Sequence, residues 1–170
     1  MKPIRHLPLL QEMRSALGEA APEAAKRTPA VIPIPAALGR GHVLLAEDNI
    51  VNQKVCTLIL KRLGYSCDFA GTGREVLKAL EKTEYAAILL DCQMPEMDGL
   101  EAARHIRDRE RMDPAGSRRI PIIALTANVM TGERERCIAA GMDDYLPKPL
   151  RPEALEEKLR IWVVRRKSGN

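Results

Sequence analysis

The sequence predicts an α/β domain, a three-layer doubly wound sandwich in which a five-stranded parallel sheet carries helices on both faces. Two observations predict it. From residue 42 onward, short apolar runs alternate with helical segments and are separated by glycine, proline and polar residues. Reactive polar residues then sit where those runs stop: Glu47 and Asp48 after Val43 to Ala46, Asp91 after Ala86 to Leu90, Thr126 after Ile122 to Leu125, and Lys148 just past Tyr145 and Leu146. Ligands of an open parallel sheet bind outside the carboxyl ends of its strands, so these five residues mark one site.

The elements follow in order. A strand runs from His42 to Glu47, and a helix lies near Ile50 to Leu63, where Val51, Val55, Ile59 and Leu63 share a face and Lys54, Lys61 and Arg62 lie elsewhere. Gly64 ends that helix because it adopts a left-handed conformation without a Cβ clash. A strand from Tyr65 to Ala70 leads into Gly71-Thr72-Gly73. A dinucleotide-binding loop would need a third glycine where Val76 stands, so Thr72 reads instead as the cap of a helix reaching Lys82. The second half repeats the rhythm: strand Ala86 to Asp91, helix Asp98 to about Arg109, a polar connection through Pro114 and Gly116, strand Ile120 to Thr126, helix near Gly132 to Ala140, and strand Asp143 to Leu146. Pro152 suits the first turn of a last helix reaching Arg166, with Ile161, Trp162 and Val163 on its packed face. Right-handed crossovers between parallel strands must cover both faces of the sheet.

Residues 1–41 read differently. They hold six of the twelve prolines and an alanine-rich tract, which marks a linker, and Leu9, Leu10, Met13 and Leu17 fall at helical spacing, so a short helix is expected from about Pro8 to Leu17. Gly39 and Gly41 punctuate the boundary, and residues 42–170 form the domain. The net charge of +4 is uneven, since residues 42–150 carry 15 basic against 17 acidic side chains while both ends are basic. Aromatic residues make up only 3% of the chain and do not interleave with the cations, so direct nucleic-acid binding is not expected, and Arg165, Arg166 and Lys167 suit a helix C-terminus. Cys56, Cys67, Cys92 and Cys137 show no CxxC or metal-ligand spacing and read as buried or half-buried free thiols of a reducing, cytoplasmic compartment. No apolar stretch approaches the roughly 20 residues needed to span a bilayer. His6, His42 and His105 are scattered, and Met94 and Met97 read as loop packing.

Three carboxylates gathered at one sheet edge would repel one another without a cation, and hard oxygen ligands suit magnesium, which takes one or two carboxylates, waters and a phosphate oxygen. Lys148 adds an ammonium and Thr126 a hydroxyl donor. Together they describe the surroundings of a phosphoryl group. An aspartate can itself be the nucleophile when the charge on the transferring oxygens is neutralised, and Asp91, at the end of the middle strand, is the candidate. An enzyme of another class, a magnesium-dependent phosphohydrolase of the haloacid-dehalogenase type, would need an acid two positions after its nucleophile, where this chain has Gln93.

The chain resembles the receiver domain of two-component signalling, and most closely the C-terminal receiver of hybrid sensor histidine kinases. The resemblance is carried by Leu44-Leu45-Ala46-Glu47-Asp48-Asn49 with Asn52 following, by Leu89 to Gly99, by Ile122 to Ala127 and by Tyr145-Leu146-Pro147-Lys148-Pro149, and it covers about residues 42 to 166. It implies a flavodoxin-like strand order 2-1-3-4-5. It also implies a regulatory phosphoacceptor rather than an enzyme, with Asp91 phosphorylated from a phosphohistidine on a histidine kinase or histidine phosphotransfer protein. Mg2+ would be held by Asp48, Asp91 and the Gln93 carbonyl, with Glu47 acting mostly through water. Thr126 and Lys148 would contact the phosphoryl group across a cis Lys148-Pro149 bond, and Thr126 and Tyr145 would form the switch. Gln93 and Asn128 would flank the path of attacking water, and neither is a base, so slow dephosphorylation is expected. The switch surface would carry Arg134 and Arg136. Partner docking is expected around Ile50, Lys54 and Pro149, on a monomer or weak dimer cut from, or acting beside, the cytoplasmic part of a larger kinase.

Overall fold

A computed structural model describes residues 39–112, 119–127 and 131–168, except the side chains of 131 and 164–168. The expected linker and its Pro8 to Leu17 helix, Pro114 and Gly116, Asn128, and the side chains of Arg165, Arg166 and Lys167 lie outside the described residues. The elements are β1 (His42–Ala46), α1 (Ile50–Arg62), β2 (Ser66–Ala70), α2 (Gly73–Lys82), β3 (Ala87–Asp91), α3 (Gly99–Met112), β4 (Ile122–Thr126), α4 (Thr131–Ala139), β5 (Asp144–Pro147) and α5 (Pro152–Ser168). The strands form one parallel sheet in the order β2-β1-β3-β4-β5. Strand order and sandwich thus match the expectation.

Alternation along the strands builds two cores. Leu44, Ile88, Leu90 and Ile122 point to the face covered by α2, α3 and α4, where they meet Val76, Ala103, Ile106 and Cys137. Their neighbours Val43, Leu45, Leu89, Ile123 and Leu125 point the other way, to Ile59 and Leu60 of α1 and Leu155 and Leu159 of α5. Strands β3 and β4 are buried along their whole length, which explains why they read as continuous apolar runs.

Local chemistry sets the ends of the elements. The Asn49 side chain caps α1 by accepting from the backbone N–H of Val51 and Asn52, and Thr72 caps α2 through the N–H of Glu75. At the end of α1 the N–H of Gly64 donates to the Lys61 carbonyl and that of Tyr65 to the Leu60 carbonyl, a Schellman closure that needs the left-handed φ of +82° at Gly64. Strand β4 begins two residues later than expected. Pro121 has no N–H to give to a ladder, although its carbonyl accepts from Ile88 at 2.8 Å.

The apolar stripe read on α1 is not its buried face. Val51 is 68% exposed and Val55 47%, with Ile50 and Leu58 exposed beside them, while Cys56, Ile59 and Leu60 point inward. Asn52 and Gln53 are drawn toward the sheet edge by hydrogen bonds to Glu47, and that anchoring sets which side of the first turns faces solvent.

Candidate functional site: an acidic cleft at the carboxyl edge of the sheet

Every strand-end residue singled out in the sequence reaches the same edge. One carboxylate oxygen from each of Glu47, Asp48 and Asp91 falls within a 4.8 Å cluster. Glu47 is 1% exposed and Asp91 5%, whereas Asp48 faces solvent. Parallel register puts the ends of β1 and β3 side by side, since Ala46 pairs with Leu90. Gly99, at the start of α3, makes room behind the site, because a Cβ there would collide with the Asp91 carbonyl oxygen.

Two of the three carboxylates are held by hydrogen-bond donors. Oδ1 of Asp91 accepts from the Gln93 N–H at 3.1 Å, and Oδ2 accepts from Lys148 Nζ at 2.5 Å. Oε1 of Glu47 accepts from Asn52 Nδ2 at 2.9 Å and from the Asn49 N–H at 3.3 Å. Its Oε2 lies 2.6 Å from Lys148 Nζ, an ion-pair contact, and that buried oxygen has no further partner among the described residues. Lys148 is itself placed by its own N–H, which donates to the Thr126 carbonyl at 2.8 Å, and by the cis peptide bond to Pro149. Thr126 is buried at the end of β4.

The electrostatics are unbalanced. Burial, opposed by the hydrogen bonds from Lys148 and Gln93, pushes the Asp91 carboxyl above the ordinary aspartate range, and the charge of Glu47 adds to the rise. For Lys148, burial works against the ammonium, but its contacts with Asp91 and Glu47 outweigh burial and hold it above the usual lysine range. Among the described residues three acids face one lysine, and the buried Oε2 has that lysine as its one contact. Hard oxygen donors, surplus negative charge and one solvent-facing carboxylate fit a small divalent cation, with waters filling the open side.

Toward β5, the Tyr145 ring lies under the Arg134 guanidinium at 5.6 Å and the Lys158 ammonium at 6.0 Å. Arg134 and Arg136 are exposed on α4, as are Ile50, Lys54 and Pro149 around α1 and the Lys148 loop. Trp162 is more than packing, since its indole N–H donates to Asp144 Oδ2 at 3.0 Å beside Lys158, whose Nζ donates to Oδ1 at 2.8 Å.

Sequence reasoning missed the support around the acids. Asn52 and Gln53 fall five and six residues after Glu47 on the first turns of α1, a spacing that could have identified them. It also left His42 unassigned. At the opposite end of the sheet its Nε2 lies 3.0 Å from Asp68 Oδ2 and its Nδ1 2.7 Å from Ser66 Oγ, with Tyr85 stacked on the ring. This is a structural cluster away from the acidic cleft.

A doubly wound sheet with three acids, a buried hydroxyl and a lysine at its carboxyl edge has the architecture of a phosphoryl-accepting signalling domain. The chain belongs to the response regulator receiver domain family, whose model matches residues 43–160. Among curated relatives, it is 41% identical over 129 residues to the hybrid signal transduction protein dokA of Dictyostelium discoideum, covering 76% of this chain and 7% of that protein. It is 37% identical over 150 residues to probable histidine kinase 1 of Oryza sativa subsp. indica, covering 73% of this chain and 16% of that one. The chain thus spans a small part of the length of these relatives. Among solved structures, the receiver domain of the sensor histidine kinase PA1611 of Pseudomonas aeruginosa PAO1, with magnesium in its active site cleft, is 44% identical with a TM-score of 0.65, covering 73% of this chain and 98% of that one. The Ssk1 receiver domain of Saccharomyces cerevisiae, crystallised with the histidine phosphotransfer protein Ypd1, appears in a structure matched at 33% identity and a TM-score of 0.68, covering 72% and 88%. The chain is a receiver domain of two-component signalling.

Proposed function

We propose that Asp91 takes a phosphoryl group from a phosphohistidine, with Mg2+ as the cofactor, and that the acyl phosphate either switches the α4–β5–α5 surface or passes on along a relay. The observation that carries this reading is the placement of Asp91, buried within the acidic cluster and bonded to Lys148 at 2.5 Å. In the transfer, an Asp91 oxygen bonds to phosphorus as the phosphorus–nitrogen bond breaks, and the imidazole leaves. Lys148 neutralises the equatorial oxygens and the Thr126 hydroxyl donates to one of them. Asp48, Asp91 and the Gln93 carbonyl would hold Mg2+, with Glu47 reaching it through water. The cation supplies charge neutralisation at the transferring group. Asn52 and Asn49 keep Glu47 aimed at the site.

Thr126 and Tyr145 are the switch pair in this reading. Inward movement of Thr126 toward a phosphoryl group frees space for Tyr145, which leaves its cation contacts with Arg134 and Lys158. The donor, a histidine kinase or histidine phosphotransfer protein, docks on Ile50, Lys54 and Pro149, and the exposed Val51, Val55 and Leu58 extend that surface. Neither Gln93 nor Asn128 is a base, so the phosphorylated state decays slowly. Phosphoryl transfer is catalysed by the domain's own residues, in a cytoplasmic setting, and residues 1–41 serve as a linker to it. Phosphotransfer profiling against a panel of histidine kinases and phosphotransfer proteins tests the proposal. Label is expected on the wild-type chain and absent from Asp91→Ala; label retained by that variant overturns the assignment.

A further inference from the structure

The sequence shows no paired cysteine spacing, yet the fold brings two thiols together beside the acidic cleft. Cys92, the residue after Asp91, has its Sγ 3.5 Å from Sγ of Cys137 on α4, and both are buried. Their backbones are pinned independently. The Cys92 N–H donates to the Leu125 carbonyl and its carbonyl accepts from the Gly99 N–H, while the Cys137 carbonyl accepts from the Met142 N–H. A disulfide needs sulfurs about 2.05 Å apart, so the two sulfurs must close the rest of the gap. A cavity of about 490 Å³ between the β3–α3 loop and α4 is lined by Cys92 together with Gln93, Asp98, Glu133 and Arg136, so a small reagent has a route to Cys92, against which Cys137 lies. Cys56 and Cys67 are buried in the opposite core, on the other face of the sheet, and serve as internal controls.

We propose that Cys92 and Cys137 form a dithiol modification site that a small-molecule disulfide oxidises to an intramolecular bond, tying α4 to the end of β3. The Cys92 sulfur, giving its proton to solvent, attacks one sulfur of the reagent. The reagent's sulfur–sulfur bond breaks and one thiol leaves, protonated from solvent. The Cys137 sulfur then attacks the Cys92 sulfur and releases the second thiol. Two protein thiols lose two electrons and two protons in all, and the reagent becomes two thiols. The bond closes a loop across 45 positions and clamps both walls of the cavity. It does not depend on phosphoryl acceptance, and Asp91→Ala protein forms it as well.

Incubation of the full chain with oxidised glutathione tests the site. The accessible thiol count of the denatured protein is expected to fall from four to two, with Cys92 and Cys137 joined in one proteolytic peptide pair and dithiothreitol restoring all four. Hydrogen exchange across α4 is expected to slow at least about tenfold in the linked form. Cys137→Ser should stop at a glutathione adduct on Cys92; if that variant does not fold, the wild-type peptide map decides alone. Four thiols remaining, an adduct that persists on wild-type Cys92, linkage through Cys56 or Cys67, or unchanged α4 exchange in the linked protein would each overturn the proposal.

Discussion

The two ends of the sheet both bury charge, and they treat it in opposite ways. At the amino end of β4 and β5, the buried guanidinium of Arg107 donates to the Gly141 carbonyl at 2.7 Å, the Ile120 carbonyl at 3.0 Å, Glu110 at 2.7 Å and Asp143 at 2.7 Å. Arg119 takes the other oxygen of Asp143, and both acids also accept backbone N–H groups, from Ile120 and Ile122. Among the described residues two cations face two anions there. Gly141 is part of the fit, since its φ is +93° and a Cβ would meet Arg107 Cγ at 2.6 Å. At the carboxyl end, among the described residues, three acids face Lys148, whose ammonium is the one contact of a buried Glu47 oxygen. A matched network holds loops in register, whereas a mismatched one with surplus negative charge stores an affinity for a cation that restores balance.

The contrast can be broken most severely at the matched end. Replacing Arg107 by alanine leaves half-buried Glu110 without its cation and Asp143 with Arg119 alone, and should cost about 3–5 kcal/mol in urea unfolding. A loss under 1 kcal/mol would mean that the network contributes little. The next largest effect belongs to the cleft, where 100-fold excess of Mg2+ over its dissociation constant should stabilise the wild-type chain by about 2.7 kcal/mol and Asp91→Asn by far less, read as a thermal shift.

Removing charge at the cleft should have the opposite sign from removing it at Arg107. The folded Asp91 carboxyl is raised above its unfolded value, so its contribution is neutral below the unfolded pKa and becomes unfavourable as pH rises through the window up to the folded one. At neutral pH without metal, Asp91→Asn should therefore be more stable than wild type, by on the order of 1 kcal/mol. Equal or lower stability in denaturant titration would remove the claim that the cleft is strained. Asp144 behaves in the usual way: burial opposes its charge, but hydrogen bonds from Lys158, Trp162 and the Tyr145 N–H outweigh it and lower the folded pKa. Its stabilisation is present above the unfolded pKa and lost as pH falls through the folded one, so Asp144→Asn should flatten the acid limb of the stability profile. The smallest stability effect is expected on α1, where Val51→Ser and Val55→Ser should change unfolding free energy within about 0.5 kcal/mol while weakening phosphotransfer from a cognate donor.

Much of this was legible in the chain. Strand ends announced themselves because a fully buried parallel strand is an uninterrupted apolar run, and the first polar residue after it must sit at the edge. That logic located Glu47, Asp48, Asp91, Thr126 and Lys148 and kept strand limits within two residues of those observed. It failed on α1, where periodicity grouped Val51 and Val55 with Ile59, because a helix carrying apolar side chains on several sides does not say which side packs. Arg107 looked like any helix cation, and His42 like an isolated ring, since apart from Glu110 the partners of Arg107 lie 13 to 36 positions away and Ser66 lies 24 positions from His42.

The sequence by itself therefore determined the alternation of elements, the cap at Thr72 and the helix end at Gly64, and which polar residues stand at the strand ends, because each depends on backbone propensity or on burial along a single run. Only the tertiary structure decided which face of α1 meets the core, how Arg107 balances Asp143, and that Cys92 touches Cys137 across 45 positions. Those contacts join residues on separate elements, and their geometry is set by crossover handedness and side-chain packing, which no local pattern records.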